Sequence, residues 1–228
     1  NAADFLDGID EGSYVMVDGY SGYNRLKKIR RCCCYAHIRR YLMEAIPSGQ
    51  EKDYSHPAVQ GVLYCNRLFE YERSYKAKGL SYAQVYKRRQ KEAKPVVECF
   101  MRWLDGQHPE KWSRMDRAVT YIQNRKDTLM TYLEDGRCSL SNNASENSLR
   151  PVTLGCKNWL FSDSQDGANA SMIVYTMAEM AKAHGLHPYN YLKYLLDSRP
   201  GTDTTDAELK DLAPWSEKAR IECNKKSE

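Results

Sequence analysis

The sequence has no run of about 18 apolar residues, so a membrane-spanning helix is not expected. It shows no N-terminal signal-peptide pattern, and it opens on Asn1 rather than methionine. It also lacks the CxxC-type ligand pairs, in two places, that a zinc site needs. Cys32, Cys33 and Cys34 with His37 come nearest to a cluster. Consecutive strand residues point to opposite faces, so only Cys32 and Cys34 would share a side, and all three read as small apolar strand residues. Cys65, Cys99, Cys138, Cys156 and Cys223 are scattered and read as reduced thiols in a cytoplasmic protein. Phenylalanine is scarce, with 4 against 17 tyrosines. Half-polar aromatics suit partly exposed helices and can also stack on bases, and packing is the simpler role. The charge excess is mild at +4, and 42% hydrophobic residues suffice for a sizeable core.

What is present divides into a short strand-bearing start and a long helical remainder. Residues 2–6 read as a helical turn. Val15, Met16 and Val17 form an apolar run that delivers Asp18 at a strand end, where Gly19 breaks the pattern. Arg25, Lys27, Lys28, Arg30 and Arg31 make a basic run before a strand over 32–35 and a helix over 38–46. Such runs are usually solvated faces, although this one, with Arg39 and Arg40, could line a nucleic-acid groove.

Residues 55–135 show helical spacing without strand alternation. The pattern predicts helices over 56–78, over 81–104 with Ser81 as N-cap, and over 115–134 with Gly136 as the stop. Pro95 should kink or split the second near Lys94. Ser141 is a candidate N-cap for a helix carrying residues 142–149, with Pro151 at its end. Lys157, Asn158 and Trp159 then follow a glycine turn. Further helices are expected over 167–184, closed by Gly185, and from Pro188 to Leu196. After Arg199 comes a linker, then Ala213–Trp215, which could dock on the core, and a charged, frayed end over 218–228.

Two segments carry chemistry: YVMVDGYSGYN over 14–24, and SNNASENSLRPVTLGCKNWLF over 141–161. Asp18 and Glu146 are hard carboxylates on a strand end and a helix, which suits Mg²⁺ or Mn²⁺. Glu146 and Arg150 stand four residues apart and would otherwise be an ordinary surface ion pair of about 0.3–0.5 kcal/mol.

With CYAHIRR over 34–40, GLHPYNYLKYLL over 185–196 and APW over 213–215, these segments resemble the insertion-sequence-66 family of bacterial transposases. The ordered blocks span about residues 5–215, far more specific than a short motif. The resemblance implies an α/β fold with a ribonuclease-H-like core, N-terminally incomplete here, and a large all-helical insertion. Its expected divisions are a first core part over 1–50, the insertion over 51–136, a second core part over 137–199, and a linker and tail over 200–228.

By the same resemblance, Asp18 matches the second Asp and Glu146 the Glu of a DDE triad that cuts and rejoins DNA strands with two Mg²⁺ or Mn²⁺ ions. The first Asp has no match, and the chain reads as the C-terminal part of a longer polypeptide. His37 either lies near the active centre or caps the helix from Ile38. Arg39, Arg40, Asn142, Asn143, Arg150, Lys157 and Asn158 are the other candidate DNA contacts. Ser141, Asn147 and Cys156 depart from the family's usual acid and two arginines, which removes two cations from the expected phosphate surface. The partners implied are DNA, as element ends and target, and further copies of the chain on that DNA, in a bacterial cytoplasm without membrane contact. The alternative is a catalytically inactive DNA-binding remnant or assembly module.

Overall fold

Val15 to Val17 begin a parallel pair rather than a hairpin. In the computed structural model, which describes residues 8–25, 28–159 and 162–224 but not the side chains of residues 21, 24 and 156–159, β1 (Tyr14–Val17) runs alongside β2 (Arg30–Cys33). Tyr14 lies opposite Arg30 and Val17 opposite Cys33. The connection carries a 3₁₀ turn, Ser21–Arg25, and is about as short as a parallel crossover can be.

The chain divides into two compact units, Asn1–Ala144 and Ser145–Glu228. In the first, β2 leads through Cys34 into α1 (Tyr35–Ala45), which starts three residues earlier than its periodicity suggests because Tyr35 is drawn inward. Tyr35 is fully buried, and its hydroxyl donates to the Leu129 carbonyl at 2.9 Å. Burial raises its pKa well above the ordinary phenol value, so it remains a donor.

The helices of the expected insertion share that core. α2 (Pro57–Ala77) starts as the sequence indicates, with His56 as N-cap and Pro57 in its first turn. Ser81 caps α3 (Tyr82–Arg88) in a capping box with Gln84. Pro95 does split the second helix. The residues before it, Arg89–Ala93, widen into a π-helical turn, and α4 (Lys94–Asp105) resumes with the proline in its first turn. α5 (Arg114–Gln123) stops eleven residues short of the expected end. Two 3₁₀ turns, Lys126–Thr128 and Thr131–Leu133, replace the missing part, because Leu129, Tyr132 and Leu133 must all turn into the core. Ile38, Leu42, Val62, Val97, Phe100 and Ile122 belong to the same apolar cluster as these three.

The π turn aims Arg89 at that irregular segment. Only 1% exposed, Arg89 makes a two-pronged pair with Glu72, Nε to Oε1 and Nη2 to Oε2 both at 2.8 Å. Its remaining donors go to the carbonyls of Tyr132, Asp135 and Cys138, each at 2.8 Å. All five N–H groups of a guanidinium are thereby used. Next to it, the Gln90 amide donates to the Leu133 carbonyl at 2.7 Å.

Four expectations for the C-terminal part are corrected. Pro151 does not end a helix: α6 runs from Asn143 to Trp159 with the proline inside it. Residues 147–150 are exposed, so water can take the carbonyl that the proline leaves unpaired. Gly155 is consequently helical and makes no turn before Lys157, and Asn142 rather than Ser141 directly precedes the helix. Nor is the end frayed throughout, because α10 (Glu217–Asn224) buries Ala219 and Cys223. The expected turn over 2–6 lies outside the described residues.

The second unit otherwise follows its signals. α7 (Gln165–Ala183) is capped by Ser164. It closes on Gly185 at φ +74°, where Leu186 N–H reaches the Ala181 carbonyl at 2.9 Å and Gly185 N–H the Lys182 carbonyl at 3.0 Å. α8 (Pro188–Ser198) and α9 (Asp206–Leu212) follow. Tyr191 donates to the Leu212 carbonyl at 3.0 Å, and the Asn190 amide to the Cys223 carbonyl at 2.9 Å. Trp215 lies against His184, ring centroids 5.6 Å apart, so APW does dock within this unit.

Arg89→Leu leaves Glu72 without its cation and three carbonyls without donors. A loss of about 3–5 kcal/mol is expected in urea unfolding, and a loss below about 1 kcal/mol would contradict the role given to this residue.

Candidate active site

Val17, the last residue of β1, is buried, and the chain emerges at Asp18, which is exposed. One carboxylate oxygen, Oδ1, accepts the Tyr20 N–H at 3.0 Å. The backbone beneath is held from α5. Tyr121 donates its hydroxyl to the Asp18 carbonyl at 2.5 Å, and Arg125 Nη2 donates to the Gly19 carbonyl at 2.8 Å.

Those two side chains are themselves fixed. The Tyr121 ring is stacked on Tyr41 at 4.1 Å, and the Arg125 guanidinium lies over its other side at 3.7 Å. Arg125 Nη1 donates back to the Tyr121 carbonyl at 2.6 Å. Burial pushes the Tyr121 phenol upward, which keeps it a donor. Gly19 has φ +101°, and a Cβ there would stand 2.0 Å from Arg125 Nη2. Glycine is therefore required twice, for its backbone conformation and for the close approach of the guanidinium.

A second segment comes to the end of the strand pair. Cys34 N–H bonds the Val17 carbonyl at 3.3 Å, and Tyr35 N–H bonds the Leu140 carbonyl at 3.0 Å. The Cys34 thiol donates to Asn142 Oδ1 at 2.9 Å. Further back, Cys32 Sγ lies 3.9 Å from Cys138 Sγ. Residues 138–142 thus follow the exit of β2 and place Asn142 beside Cys34. The three adjacent cysteines divide as strand alternation dictates. Cys32 and Cys34 contact this segment, while Cys33 enters the main core, where burial pushes its thiol up to about 12.

In the second unit, Glu146 is half-buried in the first turn of α6, with Arg150 one turn further on and exposed. Asn143, the first residue of that helix, is exposed. The Lys157 and Asn158 side chains lie outside the described residues. On α1, His37 is half-buried and Arg40 exposed, while Arg39 donates from Nε to Asn66 Oδ1 at 2.7 Å and so ties α1 to α2. Of the basic run, Arg30 pairs with Glu134 at 2.5 Å and Arg31 with Asp127 at 3.3 Å.

The structure therefore brings Asn142 to the strand end that carries Asp18, and it adds Tyr121 and Arg125, which no local pattern indicated. The only trace of them in the sequence is the glycine directly after Asp18. Asp18 and Glu146 are hard oxygen donors, and their chemistry fits Mg²⁺ or Mn²⁺. Among the described residues, no group of three His, Cys, Asp or Glu side chains is gathered that could hold a metal. Also among these residues, no helix is long and apolar enough to cross a membrane.

Comparison with known proteins gives this arrangement its class. Residues 1–170 match the family described as Transposase IS66 family, and residues 176–215 match the IS66 C-terminal element. The chain belongs to the IS66 transposase family. The uncharacterized protein y4hP of Sinorhizobium fredii is 28% identical over 221 residues, covering 90% of this chain and 39% of the relative. The uncharacterized protein y4qI of the same organism is 28% identical over 214 residues, covering 89% and 38%. The chain thus spans about two fifths of the length of these curated relatives. No solved structure matches it significantly.

Gly19→Ala should destabilise the first unit by about 1–3 kcal/mol through its positive φ alone, with the clash against Arg125 adding to that. Tyr121→Phe, which removes one hydrogen bond, should cost about 1 kcal/mol. Urea unfolding of both variants checks the order, and a neutral Gly19→Ala would contradict the fixed turn.

Proposed function

We propose that this chain is the C-terminal part of a transposase catalytic domain that cleaves DNA strands at element ends and joins them to a target, on a ribonuclease-H-like core. The observation that carries the reading is Asp18: an exposed carboxylate at a strand end, on a backbone fixed by Tyr121 and Arg125. Support comes also from Asn142, bonded to Cys34 four residues before Glu146, and from the family match, which covers both carboxylates.

In this reading Asp18 and Glu146 would hold Mg²⁺ or Mn²⁺, which when bound supplies charge neutralisation and activation of the attacking oxygen in phosphodiester chemistry. The chain's own task is placement. Tyr121 and Arg125 keep the Asp18 turn from moving, so that a carboxylate is presented without reorganisation. His37, Arg40, Asn143, Arg150, Lys157 and Asn158 are the groups proposed to hold the DNA backbone. Arg39 and Asn142 contribute more through their bonds to Asn66 and Cys34, which fix α1 and the approach to α6. Two DNA ends must meet for transposition, so the working form is a homo-oligomer on DNA.

The second reading is a DNA-binding module without catalysis, motivated by one observation: among the described residues no group of three His, Cys, Asp or Glu side chains is gathered that could hold a metal. The two readings part on cleavage. In the full-length polypeptide, Asp18→Asn and Glu146→Gln should each abolish strand cleavage in Mg²⁺ while the thermal transition and salt-dependent DNA affinity persist. Cleavage retained in either variant removes that residue from the site.

A further inference from the structure

A cleft of about 360 Å³ opens beside Asp18, and none of the metal or phosphate roles given above uses it. Its volume lies within the range of ~300–1,000 Å³ typical of small-ligand sites. Val17 and Cys33, both buried, supply apolar lining. One wall is aromatic: Tyr20 and Tyr23 meet edge to face, centroids 5.8 Å apart at 88°, and Tyr20 is 62% exposed. Asn124, whose side chain is exposed, and Arg125 also line it.

Arg31, Asp127 and Thr128 line the cleft as well, the first two paired with each other at 3.3 Å. The aromatic wall, Asn124 and Arg125 match components of a nucleotide. An exposed, edge-braced tyrosine ring offers a face for stacking, and a base in a duplex has no free face to give it. The Asn124 amide carries both donor and acceptor, which a base edge needs. The Arg125 guanidinium is pinned by two carbonyls and the Tyr121 ring, so its charge stays at the cleft wall. The Tyr20 N–H bond to Asp18 places the aromatic wall two residues from the carboxylate. A strand whose phosphate lies at Asp18 would therefore have an adjoining base within reach of the cleft.

We propose that this cleft takes one unpaired base of the DNA strand bound at Asp18, stacked on the Tyr20 ring, which Tyr23 braces edge to face. The inference rests on the reading of the chain as a DNA-processing enzyme and names what that site recognises next to the phosphate. Unstacking a base from a duplex is costly, so the cleft favours single-stranded or frayed DNA over intact duplex.

The test uses the full-length polypeptide with a single-stranded oligonucleotide of arbitrary sequence carrying 2-aminopurine, since stacking on aromatics tolerates any base. Binding is followed by anisotropy and stacking by quenching of the probe, at low salt. Wild type should bind and quench. Tyr20→Ala should lose the quenching and weaken single-strand affinity about 5- to 100-fold, leaving duplex affinity unchanged. Tyr20→Trp, which keeps a stacking face, should retain both and shows that the alanine effect is not unfolding. Binding without quenching, or quenching unaffected in Tyr20→Ala, overturns the base cleft while the DNA-processing reading stands. Absence of any DNA binding overturns both.

Discussion

The first unit depends on one buried guanidinium. The Arg89 guanidinium is nearly inaccessible to water, so it is tolerable only because every one of its donors finds an acceptor. Glu72 neutralises it, and the carbonyls of Tyr132, Asp135 and Cys138 take the rest. Those carbonyls belong to a stretch with little secondary structure of its own, whose backbone polar groups would otherwise lack partners in the interior. The arginine therefore does for residues 132–138 what a neighbouring strand does in a sheet. From there the chain passes to Leu140 and Asn142, both bonded at the exit of β2. Arg89 acts on the candidate site only through this chain of contacts, as a positioning residue.

The Asp18 turn is fixed by the same logic from another direction. Its main-chain carbonyls are met by a phenol and a guanidinium that stack on each other, with Tyr41 behind them. Both sets of contacts come from the helical segment between the two chemical motifs. That segment shares its apolar core with β2 and α1, so it is part of the scaffold that holds the carboxylate as well as an addition to it. Its surface chemistry is consistent with this: Arg30 and Arg31, which look like a nucleic-acid stripe in sequence, are paired with Glu134 and Asp127 of the segment.

What the sequence disclosed and what it withheld follow from the range of the forces involved. The strand that delivers Asp18, the Ser81 cap, the disturbance at Pro95 and the stop at Gly185 were legible because each is decided within a few residues. The early end of α5 was not, because Leu129, Tyr132 and Leu133 obey tertiary burial over helical periodicity. The π turn before Pro95 was legible as a kink but not in form, since Arg89 is drawn to carbonyls more than 40 residues away in sequence. Tyr121 and Arg125 reach Asp18 and Gly19 across separations of 103 and 106 residues, and only an alignment of structure in space can pair them. Of the candidate site, then, the carboxylates were legible from a motif, and the groups that hold one of them in place were not.

In the proposed reading, Asp18 and Glu146 both supply ligands to the metal site. Iron(II), an oxygen-seeking substitute for magnesium, generates hydroxyl radicals where it is bound when ascorbate and peroxide are added, and the resulting backbone cuts can be mapped by mass spectrometry. Cuts are expected in the full-length polypeptide at both the Asp18 and Glu146 segments, suppressed together by excess Mg²⁺ and lost together in Asp18→Asn. Cuts confined to one segment, or cuts at Glu146 that survive Asp18→Asn unchanged, would contradict that reading.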